Sequence, residues 1–370
     1  MEKLRCGGDI WRCGMPNIEK ALLHAKRAEV PFELLERLRE YVEFIKANPE
    51  IEGEINDRYE FLFGDGESIF PISAVAELHL PEVSEAKFPG LFNTVVFLLA
   101  AEHFERYLHE GGFENADELL DTYYKNLRRL MEMNKVRDDT YALVRHGHYL
   151  YGYAKPFILR IGRLAYQLMQ YDGSLLCPFL NGGRVKFALN PTAKLTDYGY
   201  PLASGDAADF SEGLLFGEDG SALNEMIRID EKNKLLKKGD FYITVHIPAD
   251  GKLLPELVKD SFERAVPILN RVFGEYSPKI IACSSWLLSP QIRRLVSEDS
   301  NIRKFQDCFD IAAALPNTAS LYEHIFKTPI KPISELEAQN EFQKSILGIY
   351  ESGEELHMGF GILKKEIAKL

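Results

Sequence analysis

The side chains best suited to chemistry follow two apolar stretches of the sequence, one ending at His246 and one running into Cys283, Ser284 and Ser285. The unperturbed pKa of a histidine lies near neutrality, so His246 is a candidate general base. Cys283 paired with His246 is a candidate nucleophile, because an adjacent base activates a thiol. We place Ser285 with His246 among the predicted catalytic residues, and we expect Ser284 to bind substrate.

These residues need elements to position them, and the surrounding pattern supplies a strand, a helix and a second strand. Residues 241–247 alternate apolar and polar side chains, which predicts a strand with one apolar face. Gly251 follows in a turn and can adopt a positive φ where the chain reverses. Helical spacing of apolar residues predicts a helix over 254–272, with Pro255 in its first turn. Residues 279–283 are a short apolar run typical of a buried strand.

A strand, helix and strand joined by so short an entry loop predict a parallel crossover unit. Ligands bind at the carboxyl ends of such strands, here residues 246–252 and 283–286. Tyr242 and Thr244 share the polar face of the first strand with His246, so we predict that both contact substrate. Ser289 and Pro290 are expected to begin the next helix as its N-cap and first residue.

Composition excludes several classes of function. At 370 residues the chain favours two domains, and its net charge of −12 argues against a nucleic-acid surface. The five cysteines include no CxxC pair, which indicates a reducing compartment. The N-terminus lacks a signal-peptide pattern, and the longest apolar run, residues 95–101, is too short to span a bilayer. We expect a cytoplasmic soluble protein.

Common catalytic motifs are also missing from the sequence, which has no GxxxxGK[ST], GxSxG, HExxH or GxGxxG. His146 and His148 are the one closely spaced histidine pair. No carboxylate or cysteine accompanies them at ligand spacing, so we predict no metal site.

The expected organisation is a helical domain over residues 1–137 and a second domain over 138–370, divided at the polar segment 135–139. Strands are predicted within 158–170 and over 184–189, and we expect these two to pair antiparallel. Residues 190–240, rich in Gly, Asp, Ser and Asn, are expected to form a long surface insertion with little regular structure. Ser334 and Glu337 predict the start of the last helix, and residues 357–363 a closing strand.

The order of elements in the second half resembles the GNAT acyltransferase superfamily. The segments VHIPADGKL, CSSWLLSPQI, SNIRKF and LGIYESGEELHMGFGIL are similar to a family of acyltransferase-domain proteins. Proteins of that family have a helical N-terminal domain and a GNAT-like C-terminal domain. The resemblance therefore implies an α+β fold, a helical domain followed by a GNAT-like mixed α/β domain.

The activity implied by the resemblance is transfer of an acyl group from acetyl-CoA or another acyl-CoA to an amine on an unidentified small molecule. Backbone N–H groups at a helix start would hold the cofactor's pyrophosphate. By position, that cradle comprises Ala249, Asp250, Gly251, Lys252 and Leu253. The acceptor is expected in a cleft between the domains, facing Tyr242, Thr244, His246 and Ser285.

The loop also departs from the superfamily pattern, in which a basic or amide residue precedes two small residues that flank one position; here only Gly251 remains. Pro248 has no N–H, Asp250 places a negative charge where phosphate would bind, and Lys252 offsets that charge. Residues 287–296 contain no tyrosine, the residue type that often serves as general acid in the superfamily. The alternative function is therefore a non-catalytic ligand-binding or interaction protein that has kept the fold and lost the cofactor loop.

Overall fold

A computed structural model describes residues 17–64, 81–144, 147–193, 210–217 and 220–368. The chain divides into two compact units, Met1–Leu159 and Arg160–Leu370. The helices are α1 (Lys20–Arg27), α2 (Phe32–Lys46), α3 (Pro49–Phe63), α4 (Glu82–Lys87), α5 (Leu91–Glu110), α6 (Ala116–Asp138), α7 (Gly147–Ala154), α8 (Pro255–Phe273), α9 (Pro290–Leu295), α10 (Asn301–Gln306), α11 (Glu341–Glu351) and α12 (Lys365–Ala368). The strands are β1 (Ile158–Ile161), β2 (Leu164–Gln170), β3 (Leu176–Asn181), β4 (Arg184–Leu189), β5 (Glu212–Phe216), β6 (Ala222–Arg228), β7 (Phe241–His246), β8 (Ile281–Ser285), β9 (Phe309–Pro316) and β10 (His357–Leu363).

The first unit is helical around a central helix, α5. Most α5 side chains are buried on all sides, as expected for an apolar helix at the centre of a bundle. Tyr123 of α6 donates a hydrogen bond of 2.7 Å to the carbonyl of Phe97, which ties the two helices together. No described helix is both long enough and apolar enough to cross a bilayer.

The second unit contains two sheets. One has six strands in the order β1-β2-β7-β8-β10-β9, and the other has four in the order β3-β4-β5-β6. Phe187 and Phe216 of the smaller sheet pack with Ala313, Leu315 and Ile362 of the larger one in a shared apolar cluster. The chain is therefore α+β, as the resemblance implies.

The predicted crossover unit is confirmed. Strands β7 and β8 pair in parallel, with Ile243 opposite Ile281 and Thr244 opposite Ala282, and α8 connects them. Ser289 is the N-cap of α9, and its hydroxyl accepts a hydrogen bond from the backbone N–H of Gln291. These elements place the ends of β7 and β8 at the centre of the six-stranded sheet.

Two predictions about the smaller sheet were wrong. Strand β4 does not pair with residues 158–170; it pairs with β3 and β5, because β2 instead lies between β1 and β7. The described part of residues 190–240 is not irregular, since it contributes β5 and β6, and Phe216 is buried in the core. Residues 194–209 lie outside the described part of the chain.

The structure also differs from the sequence interpretation at two helix boundaries. Helix α6 continues to Asp138 through the polar segment 135–139, and the two compact units divide later, after Leu159. The predicted capping box at Ser334 and Glu337 does not start a helix. Instead α11 starts at Glu341, where the Asn340 side chain accepts a hydrogen bond of 2.9 Å from the Gln343 N–H.

Candidate active site

The candidate site lies where the two central strands separate. The parallel ladder between β7 and β8 covers only Ile243 and Thr244. Each strand then continues along its other neighbour, β7 along β2 as far as His246 and β8 along β10 as far as Ser285. Because the central ladder ends before the ladders on either side, a gap opens at the carboxyl ends of β7 and β8.

The sheet separates the predicted site residues onto two faces. Side chains alternate along a strand, and the register of β7 and β8 aligns residues that point the same way. One face therefore carries Tyr242, Thr244, His246 and Ser284, and the other carries Val245, Cys283 and Ser285. Ser284 is exposed on the face that bears His246, whereas Ser285 is on the opposite face.

Ser285 has a structural role in this arrangement. Its hydroxyl accepts a hydrogen bond of 3.2 Å from the backbone N–H of Leu287. That bond caps the short 3₁₀-helix Trp286–Leu288, which follows β8 directly. Ser284, rather than Ser285, is thus the serine that the fold brings to the face of His246.

His246 is half-buried, and its Nε2 lies 2.7 Å from the side-chain oxygen of Gln167 on β2. An amide oxygen only accepts hydrogen bonds, so Nε2 carries the proton and donates it. The neutral ring then has its lone pair on Nδ1, the atom that could accept a proton from substrate. Sequence reasoning missed Gln167, whose signal was a polar residue inside an otherwise buried strand.

The loop between β7 and α8 is held by two arginines, Arg160 in β1 and Arg163 in the turn that joins β1 to β2. Arg160 bonds both carboxylate oxygens of Asp250, with one contact of 2.9 Å. Burial raises the pKa of Asp250, but the hydrogen bonds and charge of Arg160 outweigh burial and hold that pKa below its ordinary value. The negative charge expected to repel phosphate is therefore paired with a cation.

Arg163 is buried and binds the backbone of the same loop. Its Nε donates to the carbonyl of Lys252 at 2.9 Å, and its Nη2 donates to the carbonyl of Gly251 at 2.6 Å. Its third nitrogen, Nη1, is buried without a hydrogen-bond partner in the described ranges. Desolvation lowers the pKa of Arg163, yet an arginine stays protonated at neutral pH.

Gly251 does not use the positive φ that is open to a glycine at this turn. A Cβ built at this position would meet only Arg163 Nε, at 3.7 Å, which is an ordinary contact. The loop therefore does not depend on glycine for its conformation. Hydrogen bonds from both Arg160 and Arg163 hold the loop instead.

The loop fits an anionic group. The backbone N–H groups of Lys252 and Leu253 make no hydrogen bond within the described part of the chain. The loop carries one carboxylate, that of Asp250, which Arg160 pairs, and two further cations belong to the loop or bind it, Lys252 and Arg163. Unpaired N–H groups beside a local excess of positive charge are the features that bind phosphate at the start of a helix.

The Cys283 nucleophile is contradicted by the structure. Cys283 is 2% exposed and its thiol donates to the carbonyl of Val245 across the gap, at 3.4 Å. Burial raises the pKa of this thiol to about 12. A thiol that stays protonated and lies on the face opposite His246 cannot be activated by that histidine.

Metal binding gains no support from the described residues, which contain no group of three or more potential ligands. His146 of the histidine pair lies outside them.

A cavity of about 1610 Å³ elsewhere in the second unit runs past the amino end of β8 and along β4, β9 and α9. None of residues 241–254 lines it, so it is separate from the β7–α8 loop.

The comparisons with solved structures find acyltransferases. One neighbour is a mutant acyltransferase in complex with octanoyl-CoA, at 18% identity and a TM-score of 0.61. A second is an acyltransferase in complex with decanoyl-CoA, at 16% identity and a TM-score of 0.61. A third is an acyltransferase in complex with decanoyl-CoA and teicoplanin, at 18% identity and a TM-score of 0.59. Each alignment covers 95% of this chain and 89% of the neighbour.

No curated protein matches this sequence significantly. The model of the family described as the GNAT-like C-terminal domain matches residues 158–363, from the first residue of β1 to the last residue of β10. The matched segment includes both sheets, the gap between β7 and β8, and the loop held by Arg160 and Arg163. The chain therefore belongs to the GNAT-like C-terminal domain family.

Proposed function

We propose that this protein transfers an acyl group from an acyl-CoA to an amine on a small molecule. The observation that carries the proposal is the β7–α8 loop, whose unpaired N–H groups and excess positive charge lie directly after His246. An anionic cofactor bound there would place its reactive end near the gap between β7 and β8. The structural neighbours, which are acyltransferases crystallised with acyl-CoA, support the same activity.

In this proposal the loop Ala249, Asp250, Gly251, Lys252 and Leu253 holds the pyrophosphate of the cofactor. The N–H groups of Lys252 and Leu253 and the Lys252 ammonium bind phosphate oxygens. Asp250 takes no part in phosphate binding, since its carboxylate is held by Arg160. When bound, acyl-CoA supplies a thioester whose carbonyl carbon an amine can attack.

His246 then acts as the general base. Gln167 fixes the ring with its proton on Nε2, so Nδ1 takes the proton that the amine loses as the new C–N bond forms. The C–S bond breaks, and the protonated ring returns the proton to the departing thiolate. Tyr242, Thr244 and Ser284, which share the face of His246, contact the acceptor. Ser285 keeps its capping role and positions the end of β8.

The acyl chain and the acceptor that we propose rest only on similarity to the structural neighbours. The neighbours bind octanoyl-CoA and decanoyl-CoA, and one was crystallised with teicoplanin. We therefore propose acyl chains from acetyl to decanoyl as donors and a small amine-bearing molecule as acceptor.

The proposal is tested in two steps. Thermal shift with CoA, acetyl-CoA, octanoyl-CoA and decanoyl-CoA should raise the melting temperature, since a ligand at 100 times its Kd stabilises the native state by about 2.7 kcal/mol. Release of free CoA thiol is then followed with a panel of amines, and the products are identified by mass spectrometry.

No shift at millimolar CoA would refute the proposal. That result would favour the alternative, a non-catalytic protein that has lost the cofactor loop, whereas a shift without transfer to any amine would keep CoA binding and refute amine transfer.

A further inference from the structure

The turn between β1 and β2 is locked to helix α8. Ser261 of α8 is fully buried, and its hydroxyl donates a hydrogen bond of 2.5 Å to the carbonyl of Ile161. The same oxygen accepts hydrogen bonds from the Leu164 N–H at 3.2 Å and from the Tyr166 hydroxyl at 3.0 Å. Residues on both sides of the turn are thus fixed to the helix that begins just after the candidate cofactor loop.

Arg163 lies in this turn and binds two successive carbonyls of the loop, those of Gly251 and Lys252. In a trans peptide the N–H of the next residue points opposite to the carbonyl. Two carbonyls held against one guanidinium therefore turn the N–H groups of Lys252 and Leu253 away from Arg163, toward the same side. Successive N–H groups in such an arrangement form an anion-binding nest.

The positive charge of Arg163 also favours anion binding by these N–H groups. Arg163 bonds carbonyls rather than a carboxylate, so hydrogen bonding does not neutralise its charge. The carboxylate of Asp250 is instead bound by Arg160, and that of Asp260, on α8 beside the turn, lies 3.4 Å from Arg264. A buried cation thus supports the loop from the side opposite to the N–H groups.

We infer that Arg163 is the positioning residue of the cofactor loop: it orients the backbone N–H groups of Lys252 and Leu253 toward the pyrophosphate of acyl-CoA. This role rests on the proposed function, because it presumes that acyl-CoA is the ligand. Two side-chain hydrogen bonds from Arg163, which is distant in sequence, thus take the place of the small residues of the superfamily pattern in this loop.

The test compares Arg163→Met and Arg163→Lys with a control, Arg264→Met. Lysine keeps the charge and the long aliphatic stem but cannot bond two carbonyls in fixed geometry. Arg264 lies beside the same turn and donates to the side chain of Asp260 at 3.4 Å, whereas Arg163 donates to the loop's carbonyls, so replacing Arg264 removes equal charge and leaves those two bonds in place. The probes are CoA and pantetheine, the latter lacking the pyrophosphate, with Kd values from calorimetry or ligand-observed NMR.

Both Arg163 variants should bind CoA about ten- to hundred-fold more weakly, because a hydrogen bond from a charged donor contributes roughly one to two powers of ten. Their Kd for pantetheine should stay within about twofold of the wild-type value, and Arg264→Met should bind both probes normally. A general structural role for Arg163 predicts instead that both probes weaken together.

Two results would overturn the inference. One is CoA affinity within twofold of wild type in either Arg163 variant, which includes full rescue by lysine, and the other is equal losses of affinity for CoA and pantetheine. If Arg163→Met does not fold, Arg163→Lys alone decides among these results. Failure of wild-type protein to bind CoA would instead reject the proposed function, and with it this extension.

Discussion

Replacing Ser261 by alanine tests the tie between the β1–β2 turn and α8. The hydroxyl serves three buried groups: the carbonyl of Ile161, the N–H of Leu164 and the hydroxyl of Tyr166. Without it, two donors and one acceptor lose a partner in a site with no exposed surface. We expect Ser261→Ala to destabilise the protein by about 2–4 kcal/mol, since each unsatisfied buried group costs roughly 1–3 kcal/mol and the three losses are not additive.

The free energy of unfolding is measured by urea denaturation, with Ser345→Ala as the matched control. Ser345 also lies in a helix and donates to a backbone carbonyl, at 2.9 Å, but it is exposed. Its replacement should change stability by less than about 0.5 kcal/mol, because alanine favours helix and no buried group is left unpaired.

A double-mutant cycle sharpens this test. Tyr166→Phe removes the hydroxyl that donates to Ser261, so the double variant leaves one fewer unsatisfied donor than the sum of the single variants. We expect a coupling free energy of about 0.5–2 kcal/mol. A Ser261→Ala variant within 0.5 kcal/mol of wild type, or a cycle without coupling, would refute the reasoning that this hydroxyl fixes the turn.

The remaining predictions concern the site itself. His246→Ala should lower the rate of acyl transfer by about 10²–10⁴-fold and leave the Kd for CoA unchanged. Gln167→Leu should lower kcat less, by about tenfold. An unchanged kcat in either variant would remove that residue from the mechanism. Asp250 stabilises the fold through Arg160 by less than about 1 kcal/mol because the pair is partly exposed. The folded-state pKa of Asp250 lies below 3.8, so this stabilisation is complete above pH 3.8 and disappears as the pH falls through the folded-state pKa. The stability difference between wild type and Asp250→Asn should therefore shrink in acid, and a pH-independent difference would contradict the ion pair. Cys283 should resist iodoacetamide in native protein at pH 8 and react after urea denaturation, as read by peptide mass spectrometry, whereas rapid native labelling would contradict its burial.

Much of the fold follows from local patterns in the sequence. Alternation identified β7, helical spacing identified α8, and Ser289 with Pro290 marked the start of α9. Residues 357–363 were also predicted correctly as a strand, β10. These signals are local because each helix or strand buries one face, and the spacing of its apolar residues along the sequence shows which face is buried. The parallel pairing of β7 and β8 also followed, since a strand, helix and strand in succession permit few arrangements.

Outside this β7–α8–β8 crossover, the sequence did not show which strands pair with each other. Strand β4 shows the expected strand pattern, yet its period does not say which strand it joins. Strands β5 and β6 lie in a Gly-, Asp- and Ser-rich region where composition favours a loop, and packing against the core overrides that local preference.

For the candidate site, too, some features follow from the sequence and others only from the tertiary structure. The sequence by itself determined the position of the candidate site, because His246 and the β7–α8 loop are adjacent in the chain and follow a recognisable strand. Only the tertiary structure decided which distant residues contact them. Gln167 is 79 positions from His246, and Arg163 is 88 and 89 positions from the two carbonyls it holds. A local pattern carries no information about such contacts, since the sheet that brings β2 beside β7 forms only when the whole unit folds.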